Sequence, residues 1–241
     1  MQKTILITGA DRGLGYDLTE QFLKKGYRVF AGQYMQDWPE LKDLQQQHKN
    51  LLDLVPLDVS SDDSVTSAVA YVKSKTDALD ILLNNAGISG GRDNSLNVFD
   101  ALDFDWAQHV YNVNAVGPLR VTNGLLPLVM NSDTKLVVNI SSEAGSIARS
   151  YRKGWFAYCM AKAALNMQSS IVHNNIYPLG GQVLVVHPGF LQSYITGRKN
   201  LEAKTPTDVA ANQIIGIIED KEIYRGDGPT FIDHEGERWP W

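Results

Sequence analysis

Apolar residues along this 241-residue chain fall in short runs that alternate with stretches of helical spacing. Lys3 to Thr8 forms the first run and ends at Gly9. Leu14, Leu18 and Phe22 then recur at every fourth place, so Leu14 to Lys25 predicts a helix with one apolar face, stopped at Gly26. Tyr27 to Gly32 and Leu51 to Leu57 read as the next two strands, the latter ending at Asp58. Ser60, Ser61, Asp62 and Asp63 are good helix-start residues for a stretch through Lys73. Leu79 to Leu83 is a fourth strand, closing on Asn84-Asn85-Ala86-Gly87. One long helix is expected from about Phe104 to Met130, bent or ended by Pro118 and Pro127. Lys135 to Ile140, Gln182 to His187 and Gly228 to Ile232 complete the strands. Strand alternating with helix implies parallel pairing through right-handed crossovers. The expectation is an α/β chain: a single-domain, doubly wound Rossmann fold over residues 1–241, with a mostly parallel seven-stranded sheet.

Composition narrows the partners. A hydrophobic content of 44% suffices for one substantial core. No apolar run is long enough to span a bilayer, and the opening segment breaks at Gly9 too early for a secretory signal. Cys159 is the one cysteine, which excludes an intrachain disulfide and points to a reducing cytoplasm. A net charge of −5 without a clustered Lys/Arg run argues against nucleic acid as a partner. His48, His109, His173, His187 and His234 are scattered without metal-ligand spacing, so they read as surface or structural residues and no metal is expected.

The first strand runs into Thr8-Gly9-Ala10-Asp11-Arg12-Gly13-Leu14-Gly15, which opens the first helix. A helix starting in such a turn aims free N–H groups and its positive dipole end at a pyrophosphate. Gly9 permits the tight turn, Gly13 lets backbone approach the phosphates, and Gly15 lets the helix pack close to the strand. A carboxylate at the end of the second strand would hold the ribose 2′-hydroxyl of NAD, but here that end reads Ala31-Gly32-Gln33-Tyr34. Arg12 in the glycine loop can instead meet a 2′-phosphate, which favours NADP, although the neighbouring Asp11 offsets part of its charge.

Tyr158 and Lys162 stand four apart and share a helix face, while Ser142 ends the strand-like Leu136 to Ser142. A tyrosine beside an ammonium and an oxidised nicotinamide would have its pKa lowered from about 10 toward working pH. Tyr158 could then pass a proton to or from a substrate oxygen that Ser142 holds by a hydrogen bond.

On these residues the chain resembles the short-chain dehydrogenase/reductase family over nearly its full length. The family's glycine motif falls on Thr8, Gly9, Gly13 and Gly15, and its adenine-contacting acid on Asp58 followed by Val59. Its Asn-Asn-Ala-Gly segment falls on Asn84 to Gly87, and its helix asparagine on Asn114 with Gly117. Its Pro-Gly turn near the nicotinamide falls on Pro188-Gly189, followed by Ser193 where threonine is commoner. The resemblance implies a catalytic tetrad of Asn114, Ser142, Tyr158 and Lys162. In it Lys162 also grips the nicotinamide ribose, and Asn114 holds a water that links the lysine to solvent. Leu14, Asn85, Ala86 and Gly87 join the glycine loop, Arg12, Asp58, Val59, Tyr158, Lys162, Pro188, Gly189 and Ser193 as the implied cofactor contacts.

Within the family, Tyr158-Cys159-Met160-Ala161-Lys162 and the ending Phe231 to Trp241 look like the C-factor and sniffer-type carbonyl reductases. The expected activity is NADP-dependent hydride transfer on a small carbonyl or alcohol substrate by a homodimer or homotetramer. A dinucleotide-binding regulatory or signalling protein of the C-factor type is the alternative. The stretch between Ser142 and Tyr158 is longer than in many relatives, and its Arg149, Tyr151, Arg152, Lys153, Trp155 and Phe156 form either a pocket wall or a solvated loop.

Overall fold

A computed structural model describes residues 2–241, apart from the side chains of Arg92 and Asp93. Seven strands form one sheet in the order β3-β2-β1-β4-β5-β6-β7. They are β1 (Thr4–Ile7), β2 (Arg28–Gln33), β3 (Leu52–Pro56), β4 (Ile81–Asn84), β5 (Leu136–Ile140), β6 (Gln182–His187) and β7 (Thr230–Asp233). Every pairing is parallel, so the sheet is more uniform than the sequence pattern required.

Parallel strands bury both faces, and their alternate residues feed two cores. Ile5, Ile7, Val29, Leu83 and Val138 face one core, which is closed by α1 (Gly13–Lys24), α2 (Glu40–Gln47) and α7 (Thr207–Glu219). Leu6, Phe30, Leu82, Val137 and Val185 face the other, under α3 (Asp62–Lys73) and α5 (Gly117–Met130). Strand order reverses between β1 and β4, which opens a crevice at their carboxyl ends. Thr8 ties the two ends together, its Oγ1 accepting from the backbone N–H groups of Asn85 and Ala86 at 3.0 Å each.

Two elements depart from the sequence reading. The expected helix over Phe104 to Met130 is two helices, α4 (Phe104–Tyr111) and α5, joined by a wide π-helical turn, Asn112–Val116. Pro118 sits in the first turn of α5, where its missing N–H costs nothing, and Pro127 is accommodated inside a helix that runs on to Met130. Helix α2 was not anticipated, because only Leu41 and Leu44 are buried on it and the rest of its sequence is polar. Among the described residues no helix is long and apolar enough to cross a membrane.

Residues 237–241 fold back along β7. Trp239 donates its backbone N–H to the Phe231 carbonyl at 2.8 Å and its indole N–H to Asp233 at 3.1 Å. Its ring meets His187 edge-on at 5.3 Å, and the Arg149 guanidinium lies 4.3 Å from its centroid. Trp241 stacks on Phe231 at 5.3 Å, while Ser146 and the Ala148 N–H bond the carbonyls of Pro240 and Trp241. The tail thereby pins the loop between β5 and the next helix. Removing residues 237–241 is expected to lower the melting temperature, and an unchanged melting curve would show that the contacts carry no stability.

Candidate active site

The carboxyl ends of the strands and the loops leaving them enclose a cavity of about 550 Å³. Glycines shape its floor. A Cβ on Gly15 would overlap the Gly9 carbonyl oxygen and come within 2.6 Å of Asn85 Nδ2, and one on Gly9 would lie 2.9 Å from Ala86 Cα. Gly9 and Gly13 also hold φ of +63° and +56°, a region that favours glycine. The chain can therefore pass close beneath a bound group while the N-terminus of α1 faces it, which fits a dinucleotide pyrophosphate. Asn85 fastens this floor from the β4 side, donating to the carbonyls of Thr8 and Gly9 at 2.9 and 3.0 Å.

Every cofactor contact implied by the sequence lines this one cavity, from the glycine loop through Asp58, Val59 and Asn85–Gly87 to Pro188, Gly189 and Ser193. One carboxylate oxygen of Asp58 is engaged by Ser60, through its N–H at 2.9 Å and its hydroxyl at 2.6 Å. At the end of β2, Gln33 is buried and its amide donates to the Met35 carbonyl, while Tyr34 stands exposed. Asp11 accepts from the Tyr34 N–H at 2.8 Å, and burial raises its pKa while that bond and the Arg12 charge oppose the rise.

Three of the four catalytic candidates, Ser142, Tyr158 and Lys162, come together on one wall. Helix α6 (Phe156–Ile176) carries Tyr158 and Lys162 on its buried face, and Ser142, just beyond β5, lies beside the Tyr158 hydroxyl. Lys162 Nζ lies 5.7 Å from the Tyr158 ring centroid and donates to the Ile140 carbonyl at 2.8 Å. The expected lowering of the phenol is not what the protein alone produces. Burial pushes Tyr158 up to about 12, against the opposing pull of the Ser142 hydroxyl. The same burial pushes Lys162 down to about 8. Desolvation outweighs the attraction because both groups are enclosed and the ammonium is turned to a carbonyl.

Asn114 is fully buried and does not line the cavity. Its amide is spent on Ile88, with Oδ1 accepting from the Ile88 N–H at 2.8 Å and Nδ2 donating to the Ile88 carbonyl at 2.7 Å. The side chain is thus engaged, and a water held by Asn114 would rest on its backbone, which lies in the π turn. Gly87 fits beside it: a Cβ there would lie 3.0 Å from Asn114 Oδ1 and 3.8 Å from Lys162 Nζ.

Several lining residues escaped the sequence reading. His109 and His187 line the cavity as well, the first from an exposed position and the second packed edge-on against Trp239. Burial lowers His187 to about 4, so it is neutral at pH 7. Isolated histidines gave no spacing signal by which to find them. Of the basic and aromatic stretch, Arg152 and Trp155 form cavity wall, while Tyr151 is exposed. Arg152 pairs with Glu143 through both terminal guanidinium nitrogens and lies over the Tyr151 and Trp155 rings. Trp155 holds φ +66°, uncommon for a bulky side chain, at the start of α6.

The sequence model of the short chain dehydrogenases matches residues 3–204. The chain belongs to the short-chain dehydrogenase family. It is 34% identical over 201 residues to mouse retinol dehydrogenase 5, covering 83% of this chain and 60% of that protein. To C-signal of Myxococcus xanthus it is 32% identical over 169 residues, covering 69% and 95%. The chain spans less than two thirds of the length of several curated relatives, retinol dehydrogenase 5 among them. As a short-chain dehydrogenase its whole length superposes on solved carbonyl reductases. The NADPH-bound enzyme from chicken fatty liver matches with a TM-score of 0.87 at 27% identity, covering 100% of this chain and 94% of that one. Carbonyl reductase Sniffer of D. melanogaster matches with a TM-score of 0.88 at 25% identity, covering 100% of both.

Proposed function

We propose that this protein is an NADP-dependent carbonyl reductase acting through Ser142, Tyr158 and Lys162, with residues 1–241 working as one domain. The reading rests on one juxtaposition: Ser142, Tyr158 and the buried Lys162 together on the wall of a cavity whose floor is the glycine loop. When bound, the nicotinamide supplies or accepts the hydride. Tyr158 donates its phenolic proton to the substrate oxygen as negative charge develops there, and recovers it in the reverse direction. Ser142 steadies that oxygen by a hydrogen bond that strengthens as the charge grows. Lys162 supplies positive charge behind the phenol and binds the cofactor ribose, while Asn114 braces the Ile88 backbone beside it. The absence of an acid at the end of β2 and the placing of Arg12 on the cavity both support NADP over NAD. A regulatory role without turnover is less favoured, since it needs no such proton donor.

The test is a turnover screen over ketones, aldehydes and alcohols with each cofactor supplied separately. NADPH consumption with carbonyl substrates, faster than NADH consumption, is expected. Silence over a broad panel, or preference for NADH, would refute the reading.

We also infer a homodimer. Met160, Met167 and Ile171 form an exposed apolar stripe on α6, at 55%, 64% and 55% exposure, with Tyr111 and Leu119 exposed on α4 and α5. A second copy related by a two-fold axis would cover such a stripe with its own. Light scattering is expected to show a dimer that Met167→Glu converts to monomer. A monomeric wild type at micromolar concentration contradicts it.

A further inference from the structure

Arg12 leaves the glycine loop and its guanidinium lies over two aromatic rings. Cζ is 5.0 Å from the Trp38 centroid and 5.4 Å from that of Tyr194. The two rings meet edge to face, 5.4 Å apart and inclined at 74°. Trp38 comes from the connection between β2 and α2, and Tyr194 from the connection between β6 and α7. Two segments distant in sequence thus converge on one cation. Arg12 enters no ion pair among the described residues; the adjacent Asp11 accepts from the Tyr34 N–H and interacts with the Arg12 charge without pairing to it. The guanidinium donors stay available for an anion.

An arginine free in solvent samples many rotamers, and fixing it costs side-chain entropy. Aromatic rings attract the cation through their electron-rich faces and consume none of its N–H donors. A guanidinium already held by two rings therefore meets a phosphate with its donors free and most of the ordering cost met beforehand.

We propose that Trp38 and Tyr194 are positioning residues that hold Arg12 for the cofactor's 2′-phosphate. Preference for the phosphorylated dinucleotide then belongs to a clamp of three segments and not to one arginine. This rests on the NADP reading above and extends it to residues outside the glycine loop. It also gives the preference a mechanical partner: Tyr194, Phe190 and Ile195 line the same cavity. An Arg12–phosphate pair would tether their segment, whereas NADH, lacking the phosphate, leaves that tether unmade.

The experiment measures dissociation constants for NADPH and NADH on the wild type, Arg12→Ala, Trp38→Leu and Tyr194→Leu, with Trp38→Phe and Tyr194→Phe as ring-conserving controls. Each leucine variant is expected to weaken NADPH by roughly three- to tenfold, the scale of a cation–π contact. NADH affinity should change much less, and the phenylalanine variants should stay near wild type. Limited proteolysis should show residues 190–205 protected more by NADPH than by NADH. A wild type indifferent to the phosphate would overturn the NADP reading and the clamp with it. If Arg12→Ala abolishes the preference while both leucine variants retain it, the NADP reading stands and the clamp is wrong. Equal losses for NADPH and NADH in the leucine variants would likewise overturn it, by marking the rings as general packing.

Discussion

Tyr158→Phe is expected to bind cofactor as the wild type does while turnover falls by roughly 10²–10⁴, the range general acid–base catalysis contributes. Phenylalanine keeps the ring that fills this buried position and removes only the hydroxyl. With burial raising the phenol to about 12, Tyr158 is neutral at working pH and poised as a proton donor in the reductive direction. Oxidation of an alcohol needs the phenolate, so that direction should accelerate as pH rises, while reduction is less affected. A phenylalanine variant with wild-type turnover on a good substrate would remove Tyr158 from the mechanism.

Lys162→Met should abolish most turnover and yet raise the melting temperature of the cofactor-free protein at pH 7. Lys162 is enclosed, with its one described hydrogen bond to the Ile140 carbonyl, and burial lowers its pKa from 10.5 to about 8. Below pH 8 the folded state must hold a desolvated cation, a cost on the order of 3 kcal/mol. Between pH 8 and 10.5 the unfolded chain binds this proton and the folded chain does not, so wild-type stability gains from this group as pH rises. Methionine removes the cation but leaves the Ile140 carbonyl without its donor, which costs about 1–3 kcal/mol in return. The net gain should be about 1 kcal/mol at pH 7, roughly 2–4 °C for a chain of this size. It should shrink through zero toward pH 10.5. Thermal denaturation of both proteins across that range decides it: a variant less stable than wild type at pH 7 shows that Lys162 is a structural cation.

The legible parts of this chain were those where local chemistry dictates geometry. Ser61 was readable as a helix start because its hydroxyl accepts from the Ser64 N–H, and α3 begins at the next residue. The glycine loop was readable because no other residue fits beneath the Gly9 carbonyl. The π turn at Asn112–Val116 left no mark, since its residues suit an α-helix equally well. It is held instead from a distance, by Gln168 donating to the Ala115 carbonyl and by Arg120 reaching Asn112 and the Val59 carbonyl. The raised phenol was missed for a related reason. Sequence places Lys162 near Tyr158 but does not reveal that Ile140 takes the ammonium or how completely both are enclosed.

The order of the strands also sets a timetable. β1 is synthesised first but lies inside the sheet, and the edge that β4 will cover stays open until residues 81–84 have emerged. Until then its row of unpaired N–H and C=O groups is a template for a stray strand. Thr8 can close onto Asn85 and Ala86 only after that docking. The phosphate cradle is therefore a late product of folding, and a dinucleotide binding there would select chains whose two half-sheets have already joined.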